Sequence, residues 1–502
     1  MEHRIRNSFL RSRVMSADEA QEWIRDGMTV GVSGFTRCGD VKAVPRALVN
    51  NIRKTGDLRR IHLYSGASLG EADSWLSSNH LVDRRSPYQS DPETRKSINR
   101  GEIRYIEQHL SHTAESFRDG NVGPIDLAIV EAVAITEDGG IIPTTSVGNS
   151  PLFVQQAKQV IVEINLSMPE SLIGIHDIYL PERRPFRSPI DIRQVDDLIG
   201  YHYIPCDPEK IIGIVITDEP DSPSRMIPPD EETQQMAGYI LELLEHEVRH
   251  GRLTDKLAPL QSGVGSVANA VFSGLEQSPF NQLEIYTEVM QDSVFHLFDS
   301  GKVAFASGCS FSLSQRMRDH VLSSLPQYRN QIVLRPQEIS NHPEVIRRLG
   351  VIAMNAALEI DIYGNVNSTH VLGTHMMNGI GGSGDFARNA GLTIFVTKST
   401  AKNGKVSSIV PFVSHVDHTE HDVDILVTEQ GIADLRGLSP RERAKVIIEN
   451  LSHPFYKDAL RDYFQRASVQ GGHTPHLLEE ALSWHRQFKE AGDMRKLEPS
   501  VL

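Results

Sequence analysis

MTVGVSGF at residues 28–35, followed at 41–53 by VKAVPRALVNNIR, reads as a strand, a turn and a helix of an α/β unit. The first run is apolar and breaks at Ser33–Gly34, as a buried strand ending in a turn does. In the second, Val41, Val44, Leu48 and Ile52 recur at helical spacing. RIHLYSG (60–66), IDLAIVEA (125–132), QVIVEIN (159–165) and KIIGIVIT (210–217) repeat the strand pattern, so the first half holds at least five strands of a parallel or mixed sheet. TDEPDSPSRMIPPDEET (217–233) concentrates prolines and acids without an apolar period and reads as a linker or exposed crossover. A helix, QQMAGYILELLEHEVRHG (234–251), opens the second half, and LEIYTE (283–288), KVAFASG (302–308), LTIFVTK (392–398) and VDILVTE (423–429) read as further strands. The expected architecture is two similar open α/β domains, 1–225 and 226–502, with a helical C-terminal tail from about 438.

The composition narrows the function classes. In 502 residues, 51 Lys and Arg stand against 65 Asp and Glu, a net charge of −14, so nucleic-acid binding through bulk positive charge is not expected and an anionic ligand must be met by local groups. The longest apolar runs, LAIVEAVAI (127–135) and IIGIVI (211–216), are far shorter than the roughly 20 residues of a membrane-spanning helix. Cys38, Cys206 and Cys309 form no CxxC pair, which fits a reducing compartment and speaks against a thiolate zinc site. His415, His418 and His421 in HVDHTEH lack a metal-ligand spacing, and no bound metal is expected. Arg4, Arg6, Arg11 and Arg13 raise a mitochondrial transit peptide, but Glu2 and the capped start SADEA favour a cytoplasmic protein.

Two glycine-rich segments could meet a ligand. GVGSVA (263–268) fits the dinucleotide fingerprint, with Glu288 about 20 residues on, and suggests an NAD-binding oxidoreductase. The preceding DKLAPLQS lacks the buried strand such a site needs, so a turn aiming N–H groups at a phosphate or oxyanion, or one that only packs tightly, remain open. NGIGGSGDF (378–386) carries Gly379, Gly381, Gly382 and Gly384 and lets a ligand approach the backbone. Glu288, at a predicted strand end, is either a solvated carboxylate or one that attacks an activated carbonyl. Asn341 precedes Pro343 and an apolar-periodic run, which makes helix capping its default role.

TEVMQDS, SNHPEVIRRLGVIAMNAALEIDIYGNVNSTHV, MNGIGGSGDFARNA, IVPFVSHVDHTEHDVDILVTEQGIADLRGLSP and SGFTRCGDVKAVP closely resemble the acetyl-CoA hydrolase/transferase family, which belongs to the class I coenzyme A transferases. The resemblance covers essentially the whole chain. It implies an acyl-CoA:carboxylate CoA-transferase, with coenzyme A as substrate rather than resident cofactor and a homodimer as the assembly; an acyl-CoA hydrolase is the alternative. It places the nucleophile on Glu288, with a glutamyl-CoA thioester and ping-pong kinetics. By the same likeness, CoA contacts fall on Val264, Gly265, Ser266, Val267, Ala268, Leu358, Asn378, Gly382 and Lys402. The N–H groups of Val264 and Gly382 become oxyanion donors, and Asn341 orients the acyl carbonyl or the glutamate. Glu429 and Arg225 are further candidates for shaping the acceptor-carboxylate region. The loop at 36–41, with Arg37, Cys38 and Asp40, is less regular than the family's glycine- and proline-containing versions and leaves acyl preference open.

Overall fold

A computed structural model describes residues 2–224, 227–263 and 265–495. The chain forms two compact units: Met1–Met226 with Gln282–Leu349, and Ile227–Asn281 with Gly350–Leu502. The division at 226 falls inside the proline-rich segment expected to separate domains. The segment from 282 to 349, which carries Glu288, nevertheless joins the N-terminal part. Its side chains explain why. Arg118 grips Glu338 through two 2.6 Å bonds, and Arg335 pairs with Asp177, so buried charges there have their counterions in the N-terminal part of the chain.

The first unit is built on seven strands: β1 (Thr29–Val32), β2 (Ile61–Tyr64), β3 (Val82–Ser86), β4 (Arg104–Tyr105), β5 (Leu127–Ala132), β6 (Gln159–Asn165) and β7 (Ile211–Thr217). They lie in the order β4-β3-β2-β1-β5-β6-β7, and every pairing is parallel. All six residues of β5 are buried, which accounts for its unbroken apolar run. β3 and β4 escape the apolar-run pattern because their sequences, VDRRS and RY, are polar; Arg85 is fully buried, paired with Asp73 and donating to the carbonyls of Ser86 and Ala67.

Order reverses between β1 and β5, so the crevice beyond their carboxyl ends is where an open α/β sheet takes a ligand. The loop after β1 fills this position. Thr36 and Arg37 there have φ of 50° and 69°, a left-handed backbone that costs non-glycine residues about 1–2 kcal/mol each. The helix that follows, Ala43–Thr55, starts under the carboxylate of Glu163 in β6, which accepts the N–H groups of Lys42, Ala43 and Val44. It stops at Gly56, with φ of 74°.

In the segment from 282 to 349, Leu283–Tyr286, Val303–Gly308 and Ile332–Leu334 pair in parallel, and Val289–Gln291 pairs with Ser310–Ser312.

In the second unit, Leu260–Ser262, Ile352–Ala356, Leu392–Val396 and Ile425–Thr428 are successive parallel neighbours, and Gly431–Asp434 turns back antiparallel. The helical tail forms as expected, in Pro440–Leu451, Pro454–Val469 and Ser483–Ala491. Ile447, Leu451, Leu460 and Trp484 from it share a core with Phe395 and Leu426 of the strands. One expectation is overturned: a buried strand, Leu260–Ser262, does precede GVGSVA. Its Gln261 is accommodated by hydrogen bonds with Asn355 and with the N–H of Met354, so a polar residue sits in the sheet interior without penalty. No described helix is long and apolar enough to cross a membrane.

Candidate functional site

Glu288 lies in the two-residue gap between strands Leu283–Tyr286 and Val289–Gln291 rather than at a strand end. Its carbonyl accepts the N–H groups of Cys309 (2.7 Å) and Ser310 (3.1 Å), which fixes the backbone there. Tyr286 is fully buried, and its hydroxyl donates to the carbonyl of Ile339 at 2.6 Å, tying the strand to the short helix Gln337–Ser340. That helix is held from its other side by the Arg118–Glu338 pair and by the Gln337 amide on the carbonyl of Leu110. Asn341, the next residue, therefore has little freedom. Its Nδ2 donates to Glu288 Oε1 at 2.7 Å. Capping explains none of this; the side chain serves the glutamate. Asn341 is fully buried, and its Oδ1 has no hydrogen-bond partner among the described residues.

The surroundings of the carboxylate are apolar. Phe35, Ala67, Leu110, Val289 and Cys309 form a buried cluster against which Tyr88 packs. Phe35 comes from the loop after β1, and the adjacent Thr36 hydroxyl lies 3.2 Å from that of Ser310. Burial pushes the Glu288 carboxyl up to about 7, with the Asn341 bond pulling the other way. Burial, and then the charge of Glu288, push the Tyr88 hydroxyl up to about 12. The Cys309 thiol is raised well above its ordinary range by burial, so it is a neutral wall and no nucleophile. A carboxylate ionised near neutral pH, poorly solvated and held by one amide, is suited to attack an activated carbonyl.

The second unit contains a cavity of about 210 Å³ at the carboxyl ends of Leu260–Ser262, Ile352–Ala356 and Leu392–Val396. Gly265, Ser266, Val267 and Ala268 line it, at the start of helix Ser266–Gln277. Val264 and Arg225 lie outside the described residues. Leu358, Asn378, Gly382 and Lys402 are elsewhere in the same unit. Leu358 is exposed, and Asn378 donates to the carbonyl of Gly379 at 2.9 Å. Gly382 is buried at the start of helix Ser383–Asn389. Lys402 sits in an exposed turn with φ of 50° and holds its ammonium 4.7 Å from the ring of Phe488. Glu429 accepts the N–H and hydroxyl of Ser399 and the amide of Gln430. Burial opposes ionisation, yet these bonds hold its carboxyl below the ordinary value.

The three histidines of HVDHTEH part company. His415 stacks on His370 with ring centroids 3.9 Å apart, His418 packs on Phe395, and His421 is exposed. No group of three His, Cys, Asp or Glu among the described residues could hold a metal. Residues that the sequence reading passed over are Tyr88 and Phe35 around Glu288, and Lys398 on the cavity wall. Lys398 had a signal, since it follows a buried strand by two residues in LTIFVTK.

Known proteins match this chain over nearly its full length. Residues 1–216 match the acetyl-CoA hydrolase/transferase N-terminal domain and 315–464 its C-terminal domain. The succinyl-CoA:acetate CoA-transferase of Clostridium kluyveri is 51% identical, over 98% of this chain and 92% of its own. The acetyl-CoA hydrolase of Schizosaccharomyces pombe is 46% identical, over 98% of both. The crystal structure of RipA from Yersinia pestis shares the fold, with a TM-score of 0.71 at 23% identity over 92% of this chain and 99% of that one. These matches leave no place for the NAD-binding reading of GVGSVA. With both domains matched in order and identity near half over nearly its full length, this chain belongs to the acetyl-CoA hydrolase/transferase family.

Proposed function

We propose that the protein is an acyl-CoA:carboxylate CoA-transferase acting on short-chain acyl-CoAs through Glu288. The observation that carries the reading is the carboxylate itself, raised to about 7 by an apolar surround and held at 2.7 Å by a buried amide. In the first step a Glu288 oxygen attacks the thioester carbonyl, and collapse of the adduct expels CoA thiolate and leaves an acyl-glutamyl anhydride. The thiolate then attacks the glutamyl carbonyl, releasing the first carboxylate and leaving a glutamyl-CoA thioester. An acceptor carboxylate attacks that thioester, the thiolate returns to the acceptor's acyl carbon, and Glu288 is regenerated. No proton is needed, because carboxylates and thiolate exchange as anions. Ping-pong kinetics follow.

Asn341 holds one oxygen of Glu288 so that the other is free to attack. The N–H groups of Val264 and Gly382 are our proposed oxyanion donors, and the turn at 264–268, Leu358, Asn378 and Lys402 our proposed CoA contacts. A homodimer and a cytoplasmic location belong to the same proposal.

Hydrolysis is the second reading, favoured by the name of the 46% identical relative. It differs only in letting water resolve the covalent intermediate. Intact-protein mass after rapid mixing with acetyl-CoA, in wild type and Glu288→Ala, decides between them once succinate is added. A CoA adduct on wild type alone, with succinyl-CoA formed, is expected. Steady CoA release with no need for a carboxylate would assign the hydrolase, and full activity in Glu288→Ala would refute the mechanism.

A further inference from the structure

Among the described residues that line the 210 Å³ cavity, one carries a charge, Lys398. The walls are apolar, from Met236, Ile240, Val271, Met354 and Val396, so a ligand body that enters them has a single fixed cation at its edge. The first turn of helix Ser266–Gln277 opens on the same space through Ser266, Val267 and Ala268, which adds the positive end of a helix. Cation and helix end converge on one cavity in a protein of net charge −14.

The ammonium is already engaged. Its Nζ is 2.5 Å from Asp230 Oδ2 and 2.6 Å from Glu232 Oε2. Both carboxylates are exposed, so these pairs are screened by solvent and contribute little to stability. Asp230 has a separate task for its other oxygen, which accepts the N–H of Thr233 and caps helix Glu231–Arg249. The clamp on Lys398 is thus anchored through a helix cap, but it is made of monoanions that a phosphate can displace.

We propose that Lys398 recognises a phosphate of coenzyme A at this cavity, and that Asp230 and Glu232 hold its ammonium until the ligand arrives. This rests on the reading of the protein as one that handles CoA. Either the 3′-phosphate or the diphosphate supplies the required chemistry, and both are tested by titrating CoA and 3′-dephospho-CoA into the full chain by calorimetry.

Lys398→Met is expected to weaken CoA binding about tenfold, which is about 1.4 kcal/mol. If that loss persists with 3′-dephospho-CoA the partner is the diphosphate; if it vanishes, the partner is the 3′-phosphate. Glu232→Gln, which keeps the ammonium and releases part of its clamp, is expected to tighten CoA binding about threefold, a gain of about 0.65 kcal/mol. Equal affinities of wild type and Lys398→Met for both ligands would overturn the assignment, and unchanged or weaker binding in Glu232→Gln would overturn the clamp. Failure of wild type to bind CoA at all would instead remove the reading beneath the proposal.

Discussion

Replacing Asn341 by alanine separates the two tasks an amide beside Glu288 can have. Asn341 donates to one carboxylate oxygen at 2.7 Å from a fully buried position, while Glu288 itself is half-buried. A hydrogen bond to a charged acceptor is worth about 1.5–3 kcal/mol, and it favours the ionised form only. At about 1.36 kcal/mol per pH unit, its loss moves the midpoint of Glu288 upward from about 7 by about one to two pH units. On the proposed mechanism the ionised carboxylate attacks the thioester, so activity should rise with pH through that midpoint. In Asn341→Ala the acid limb should move up with it, and at pH 7 the rate should fall by about fivefold to about fiftyfold. The assay is kcat/KM for acetyl-CoA at saturating succinate, measured from pH 5.5 to 9.5. A lower plateau with the limb unmoved would mean that Asn341 acts on the acyl carbonyl alone and would refute the electrostatic argument.

Glu288→Gln should raise stability in a pH-dependent way. The carboxyl sits near 7 in the fold against an ordinary 4.5, so the cost of burying its charge, at most about 3 kcal/mol, is fully present above pH 7 and absent below 4.5. Denaturant unfolding should show the variant ahead of wild type at pH 8 and level with it at pH 4.5; a gap that does not change with pH contradicts the origin of the shift. Lys42→Met should destabilise the first unit by about 3–5 kcal/mol, because the buried ammonium stands 2.7 Å from Glu131, 3.1 Å from Asp221 and 3.5 Å from Asp40, and its loss strands three carboxylates together. Urea unfolding that differs from wild type by less than about 1 kcal/mol would show the cluster to be hydrated or protonated instead.

The α/β class, the strands with unbroken apolar runs such as LAIVEA, the helical tail and the family are all legible along the chain. Burial on both faces of a parallel sheet writes such runs directly into the chain. The sequence also singled out Glu288, although as a strand-end residue rather than one between two strands, and the turn at 264–268. It could not show β3, whose VDRRS buries Arg85 against Asp73 and the carbonyls of Ser86 and Ala67, nor the strand before GVGSVA, whose Gln261 needs Asn355.

The chemistry around these residues depends on contacts made across the fold. Asn341 reads locally as a cap, and it becomes a partner of Glu288 because Tyr286 and Arg118 lock the Gln337–Ser340 helix in place. The grouping of 282–349 with the N-terminal part follows from the same buried pairs. Lys398 acquires its role from a cavity whose other walls come from residues 233 to 271 and 354 to 397. Periodicity along the chain reports which face of an element is dry, because that depends on near neighbours. The ionisation of a carboxylate and the partner of an amide depend on groups distant in sequence, and these meet only when the fold has closed.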